Sequence, residues 1–299
     1  MINIEEYLFQ IYEDFEDYVS KCDNLCDLKS LHYQAGNLPD YSDINIQQLY
    51  LLRYAFAYAF EYKSMFLDLF KRKTYEEEIH VMSLGCGNAI DYWSLVQALK
   101  DIGEWQCKVH YRGIDAIDWN YKIAPRKRDY FWVEEENAAL TLQEYDTLPF
   151  DVYFFPKSIS EFSEQDFDII CNCFSRERIE KDEFHIMISL RLDSGSMNRD
   201  MRRSKMLVEA IKRNGYTTRD NPDVYTYFVE KEAGIRHLDS DFKYPDEALE
   251  LLKSLKYQCE EYSMDEIMCK DDCEKYLNRQ PALKVRNIRF QILSFSRKE

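Results

Sequence analysis

From residue 79 onward, short apolar runs alternate with amphipathic stretches. Residues 79–84 (IHVMSL) are mostly apolar, as a strand covered on both faces should be. Gly85 and Gly87 then bracket a tight turn in which side chains would block close approach to the backbone. From Ala89, the apolar positions Leu95, Ala98 and Leu99 recur at helical spacing beside Tyr92 and Trp93. The same rhythm predicts strands near 108–115, 129–134, 150–155, 184–191 and 223–229, with helices at about 89–101, 166–180 and 199–214. A last strand, NIRFQILSF, falls near 287–295. The expected fold is α/β: a Rossmann-like, mostly parallel sheet with helices on both faces.

Residues 1–75 carry no strand pattern and form a helical N-terminal extension; residues 76–299 form the α/β domain. Asn45 and Gln48 resemble a capping pair ahead of a long aromatic helix. On that helix Leu52, Phe56 and Phe60 make one stripe, and Tyr54, Tyr58 and Tyr62 a neighbouring one. The simplest reading packs the helix on the flank of the sheet; a sharper one makes the tyrosines a lid. Residues 240–282 break the strand–helix rhythm with charged, helical-looking sequence, a helical insertion before the last strand.

The net charge of −16 and a pI near 4.9 disfavour broad contact with phosphate backbones or anionic membranes. Two local exceptions are Lys122 to Arg128, and Arg199 to Arg203 with Lys205, Lys212 and Arg213. These are candidate phosphate grips, or solvated faces paired with nearby acids. No apolar stretch is long enough to span a membrane. Nine cysteines without a secretory signal point to reduced thiols in the cytoplasm. Cys22/Cys26 and Cys269/Cys273 are each spaced to share a helix face, a zinc arrangement only if the pairs meet, so no metal is expected. Cys171 and Cys173 read as core thiols in a helix. The five histidines show no ligand spacing, and His80 and His110 read as packed strand residues.

The chemistry concentrates at the glycine turn. A dinucleotide-binding turn wants a third glycine where this chain has Ile90, which weakens a pyrophosphate and NAD reading. Asp115, 28 positions after Gly87, ends a second strand in Gly113-Ile114-Asp115, where nucleotide-binding units place a carboxylate for ribose hydroxyls. The glycine pair followed by Asn-Ala-Ile-Asp resembles motif I of the class I S-adenosylmethionine-dependent methyltransferases, and the GID end is similar to their second motif. The resemblance covers roughly residues 79–230 and the last strand.

That resemblance implies S-adenosylmethionine as cofactor, with Gly85, Cys86 and Gly87 in the loop beneath its methionine part. Asp115 would take the ribose, with Ala116 beside it and Asp118 in reserve. The family often carries an acid two places before the first glycine; this chain has Ser83, which leaves Asp91 as the substitute for holding the ammonium. Cys86 reads as a space-filler, not a nucleophile. Glu134 follows the third strand, the region that meets adenine in the family, and Phe155 ends the fourth. The acceptor side of this fold lies after that strand, where Lys157, Ser158 and Glu161 are the catalytic candidates. Neither an Asn/Asp-Pro-Pro-aromatic motif nor a Pro-Cys pair occurs there, so base-nitrogen and pyrimidine-carbon methylation are disfavoured. The expected activity is methyl transfer to an unidentified acceptor, with a small molecule or protein favoured over RNA. The alternative is a methyltransferase-like binding or regulatory subunit.

Overall fold

The computed structural model describes residues 3–31, 39–176, 178–228, 236–237, 243–263, 271, 273–285 and 288–298. The chain divides into two compact units. One comprises Met1–Phe60, Trp119–Ala124 and His237–Val285; the other comprises Glu61–Asp118, Pro125–Arg236 and Arg286–Glu299.

The second unit holds the sheet. Strands β1 (Glu78–Leu84), β2 (Lys108–Asp115), β3 (Tyr130–Glu135), β4 (Val152–Pro156) and β5 (Glu183–Ser189) run parallel in the order β3-β2-β1-β4-β5. Beyond β5 lie the short strands β6 (Tyr216–Thr217) and β7 (Thr226–Phe228). The two-residue strands β8 (Arg236–His237) and β9 (Lys284–Val285) precede β10 (Ile288–Arg297). Strand β10 runs antiparallel to β5, β6 and β7, so the chain's last strand lies inside the sheet. This is the expected Rossmann-like, mostly parallel sheet.

Helices cover both faces. On one, α4 (Ala138–Glu144), α5 (Glu164–Phe174) and α6 (Ser194–Arg213) bury Ala139, Phe167, Phe174 and Leu207 against Met82, Ile114, Tyr153 and Phe155. On the other, α3 (Ile90–Asp101) sets Tyr92 against Tyr111 and Phe131. Phe154 points to that second face and meets Tyr62 and Phe66, while its neighbours Tyr153 and Phe155 point the opposite way. Two-residue alternation thus gives β4 two apolar faces, and the continuous run Val152–Phe155 is its sequence signature.

The departures from expectation have local causes. Helix α5 stops at Phe174 rather than near 180, and α4 is absent from the sequence reading because its seven residues cover barely two turns. The strand expected at 223–229 is only Thr226–Phe228, and β6 is too short to show alternation.

The first unit is helical. Helix α1 (Ile4–Lys21) opens with a capping box between Asn3 and Glu6. Helix α2 (Ile44–Arg72) is capped by Asp43, whose Oδ1 accepts the Asn45 amide at 2.7 Å, and not by the expected Asn45–Gln48 pair. Helix α7 (Asp246–Ser254) lies in the segment expected as an insertion. One boundary between the units falls inside α2, between Phe60 and Glu61. Phe56 packs on Tyr244, whose hydroxyl donates to the Leu52 carbonyl; further along, Phe66 packs on Phe154. Arg53, fully buried, donates to the carbonyls of Tyr276 and Leu277. Among the described residues no helix is long and apolar enough to cross a membrane.

Candidate functional site

The order β3-β2-β1-β4-β5 reverses direction between β1 and β4, and open α/β sheets bind ligands at such a reversal, beyond the carboxyl ends of the strands. The loop after β1 and the segment after β4 therefore flank the expected crevice.

After Leu84 the backbone enters the left-handed region at Gly85 (φ 74°), Gly87 (φ 57°) and Ala89 (φ 62°), the last just before α3. The bend is stitched to the end of β2. The amides of Gly85 and Cys86 donate to the Ile114 carbonyl at 2.8 and 3.2 Å. The Gly87 amide donates to Asp115 Oδ2 at 2.7 Å, and the Ile117 amide to Asp115 Oδ1 at 2.9 Å. Asp115 is thus fixed beside the loop by two backbone donors.

Glycine is required at two points by contact. A Cβ on Gly85 would lie 2.5 Å from the Cβ of Ser158, and one on Gly113 would lie 2.6 Å from the Cys86 sulfur. Cys86 therefore fills the hollow that Gly113 leaves. Burial pushes its thiol well above the usual range, toward the neutral form.

Several of the expected site residues are engaged by the protein's own groups. Ser158, expected on the acceptor side, is buried beneath Gly85, and its hydroxyl donates to the Leu84 carbonyl at 2.5 Å; it supports the loop. Lys157 has φ 59° and donates to Glu61 Oε1 at 2.7 Å and to the Leu190 carbonyl at 3.1 Å, so its ammonium is held in a mostly buried ion pair. Asp91 is fully buried in the first turn of α3. Its carboxylate accepts the Tyr111 hydroxyl at 2.8 and 3.0 Å, and burial lifts its pKa to about 6 against the Tyr111 and Ser83 hydroxyls. Ser83 is likewise fully buried. Glu134 is engaged by Arg112 and by Trp132 Nε1, and Phe155 belongs to the core between β4 and α5. Ala116 and Asp118 are exposed.

Glu161 keeps a partly exposed side chain and pairs with Arg191. Burial, with Asp115 and Asp200 nearby, pushes its carboxyl upward, and Arg191 opposes that shift. Arg191 went unnoticed in the sequence, as did Glu61 and Ser189. Arg191 follows β5, donates through Nε to the Lys157 carbonyl at 3.2 Å and through its amide to Asp200 at 2.9 Å. Ser189 donates to Glu61 Oε1 at 2.5 Å. The only available signal was position, since residues just past β5 border the same end of the sheet as those past β4.

The basic patches are largely spent locally. Arg126 is buried against Asp129 and the carbonyls of Trp105 and Cys107. Arg199, Arg202 and Arg203 converge on Glu164, Lys205 pairs with Asp223, and Lys212 with Glu209. Of the cysteine set, Cys22 and Cys26 are half-buried and Cys273 is buried, while Cys269 lies outside the described residues. Cys171 and Cys173 are buried in α5.

No family model matches the sequence, and no curated protein does. Among solved structures, the chain is similar to the plantazolicin methyltransferase BpumL, solved with a desmethyl plantazolicin analog and S-adenosylhomocysteine. Identity is 12%, coverage 97% of this chain and 99% of that one, and the TM-score 0.40. Cyclopropane synthase MmaA2 from Mycobacterium tuberculosis is 12% identical over 95% of this chain and 98% of that one, TM-score 0.40. Mycolic acid cyclopropane synthase CmaA1 is 13% identical over 76% and 87%, TM-score 0.40. At these identities the likeness is one of fold.

Proposed function

We propose that this chain binds S-adenosylmethionine at the turn between β1 and α3 and transfers its methyl group to an acceptor beyond β4 and β5. The observation that carries this reading is the Gly87–Asp115 hydrogen bond, which joins a side-chain-free bend to a carboxylate at the end of the neighbouring strand. The donor set fits the cofactor. Asp115 is of the type that accepts ribose hydroxyls, and its carboxylate supplies negative charge on the side of the crevice where a sulfonium would sit. When bound, the sulfonium supplies a methyl carbon whose bond to sulfur breaks as the acceptor's lone pair attacks, leaving a neutral thioether.

The chain's own tasks are orientation and water exclusion. The Ser158 contact beneath Gly85 sets the height of the loop, and the Lys157–Glu61–Ser189 cluster fixes the backbone leading to Glu161. Glu161 is the candidate to accept the acceptor's proton where the chemistry needs an early deprotonation. The acidic balance favours a small molecule or a protein side chain as acceptor over RNA.

A second reading rests on Asp91. Its carboxylate is committed to Tyr111 and Ser83 replaces the usual acid, which supports a methyltransferase-like binding subunit without turnover. Melting with added ligand separates the readings. S-adenosylhomocysteine at a hundred times its Kd adds about 2.7 kcal/mol of stability. A shift with methyl transfer to a labelled extract fits the enzyme; a shift without transfer fits the binding subunit. No shift with it, or a shift with NAD instead, rejects both.

A further inference from the structure

We propose that Glu78, His80 and His110 form a binding site for a divalent transition metal of the zinc class, at the end of the sheet opposite the glycine turn. Strands β1 and β2 pair in parallel with His80 opposite His110, and Glu78 lies two residues before His80 on the same strand face. The two imidazoles stack with centroids 4.1 Å apart and planes 7° apart. The Glu78 carboxylate spans both, with Oε1 3.2 Å from His80 Nε2 and Oε2 3.2 Å from His110 Nε2. One donor atom from each residue lies within 4.8 Å of the other two.

These separations suit a small ion. Ligands at roughly 2.0–2.1 Å in a tetrahedron stand about 3.4 Å apart, close to both carboxylate–imidazole distances. Two imidazoles and one carboxylate are donors that zinc, nickel and copper accept, and a three-residue set leaves a position for water. Both Nε2 atoms already face the same carboxylate. Converging on one ion asks the near-parallel rings to turn about χ2, a broad torsion for histidine. The backbone of His80 is held for this, since its amide donates to Asp151 Oδ2 and its carbonyl accepts the Asp151 amide, both at 2.9 Å. The histidine side chains are 23% and 22% exposed and Glu78 54%, while the His110 Nε2 atom itself is buried without a hydrogen-bond partner, a donor aimed at the Glu78 carboxylate that an ion would satisfy. The Lys108 ammonium, two residues from His110 on β2, is drawn over the Tyr130 ring at 3.9 Å. Gly85 lies five positions after His80, roughly 16 Å along a strand, so the two sites do not overlap.

The test is calorimetric titration of the chelator-stripped, full-length chain with zinc chloride, followed by histidine-selective 1H–15N spectra. The expected result is one zinc per chain, affinity weakened roughly tenfold or more in His80→Asn and His110→Asn, and weakened affinity in Glu78→Gln. The spectra should show two of the five imidazoles shifting with zinc; this readout uses the unaltered chain and holds even where a variant misfolds. Absence of uptake, uptake unchanged in both histidine variants (as thiol capture would give), or shifts confined to other histidines overturns the proposal.

Discussion

The Gly87 amide donates to Asp115 Oδ2 at 2.7 Å, so the bend after β1 and the acid after β2 form a single structural element. On the proposed reading, loop shape and ribose recognition share one side chain. For Asp115→Ala we expect the melting shift with S-adenosylhomocysteine to vanish. The chain's own stability should also fall by about 1–3 kcal/mol, because the Gly87 and Ile117 amides lose their acceptor. Asp115→Asn keeps one acceptor oxygen and should retain more of the stability than of the binding. Urea titration and calorimetry on both variants check this.

Gly85 tests the loop from beneath. Gly85→Ala adds left-handed strain to a contact of 2.5 Å with the Ser158 Cβ. We expect a loss of about 2–4 kcal/mol in denaturant melts. Gly85→Ala/Ser158→Gly removes the contact but not the strain, and should recover only part of that loss. Full recovery would mean that the left-handed backbone costs nothing.

Lys157 and Glu61 form a pair with side chains 14% and 4% exposed, and Ser189 adds a third bond. Removing one charge leaves the other stranded, so Lys157→Met should destabilise by about 3–5 kcal/mol. Lys157→Met/Glu61→Gln should regain much of that in a double-mutant cycle. If Lys157 were instead a catalytic group, the single variant would lose turnover while keeping its melting temperature.

His185 gives the pH dependence. It sits on β5, 5% exposed, with Nδ1 3.1 Å from the Ser294 hydroxyl. Burial, reinforced by Lys73 and Arg72 and opposed by Asp220 and Glu183, pushes its pKa from 6.5 down to about 4. The unfolded chain then binds this proton more readily than the folded one. Its contribution is present above pH 6.5 and is lost as pH falls from 6.5 through 4, amounting to roughly 3 kcal/mol. Urea midpoints between pH 7.5 and 4.5 should fall less steeply in His185→Gln than in the parent chain.

The fold was legible where a physical signal was long or repeated. The apolar runs of β1 and β4, the alternation in β2, the glycine bend and the acid of GID sit within one sheet, and the runs are readable because Val81–Leu84 and Val152–Phe155 are buried on both faces. Side-chain commitments were not legible. Nothing in the sequence says that Tyr111 takes Asp91, that Ser158 sits under Gly85, or that Phe155 faces α5. Each depends on which strand becomes whose neighbour, as with Ser83 and Phe154, which pair across β1 and β4. Likewise His80 and His110 show no metal spacing along the chain, because their meeting is a matter of register between parallel strands 30 positions apart. Helix α2 hid its boundary for a similar reason. Its aromatic stripes run on without a break, although Phe56 and Phe66 serve different cores.

The antiparallel strand Ile288–Arg297, seated between β5 and β6, sets an order on biosynthesis. A nascent chain that has emerged only as far as β7 presents β5, buried from Phe184 to Ser189 in the folded chain, as a bare sheet edge with its hydrogen-bonding groups open to other chains. Translation stalled or terminated before residue 288 would therefore yield a sticky fragment and not a smaller folded protein.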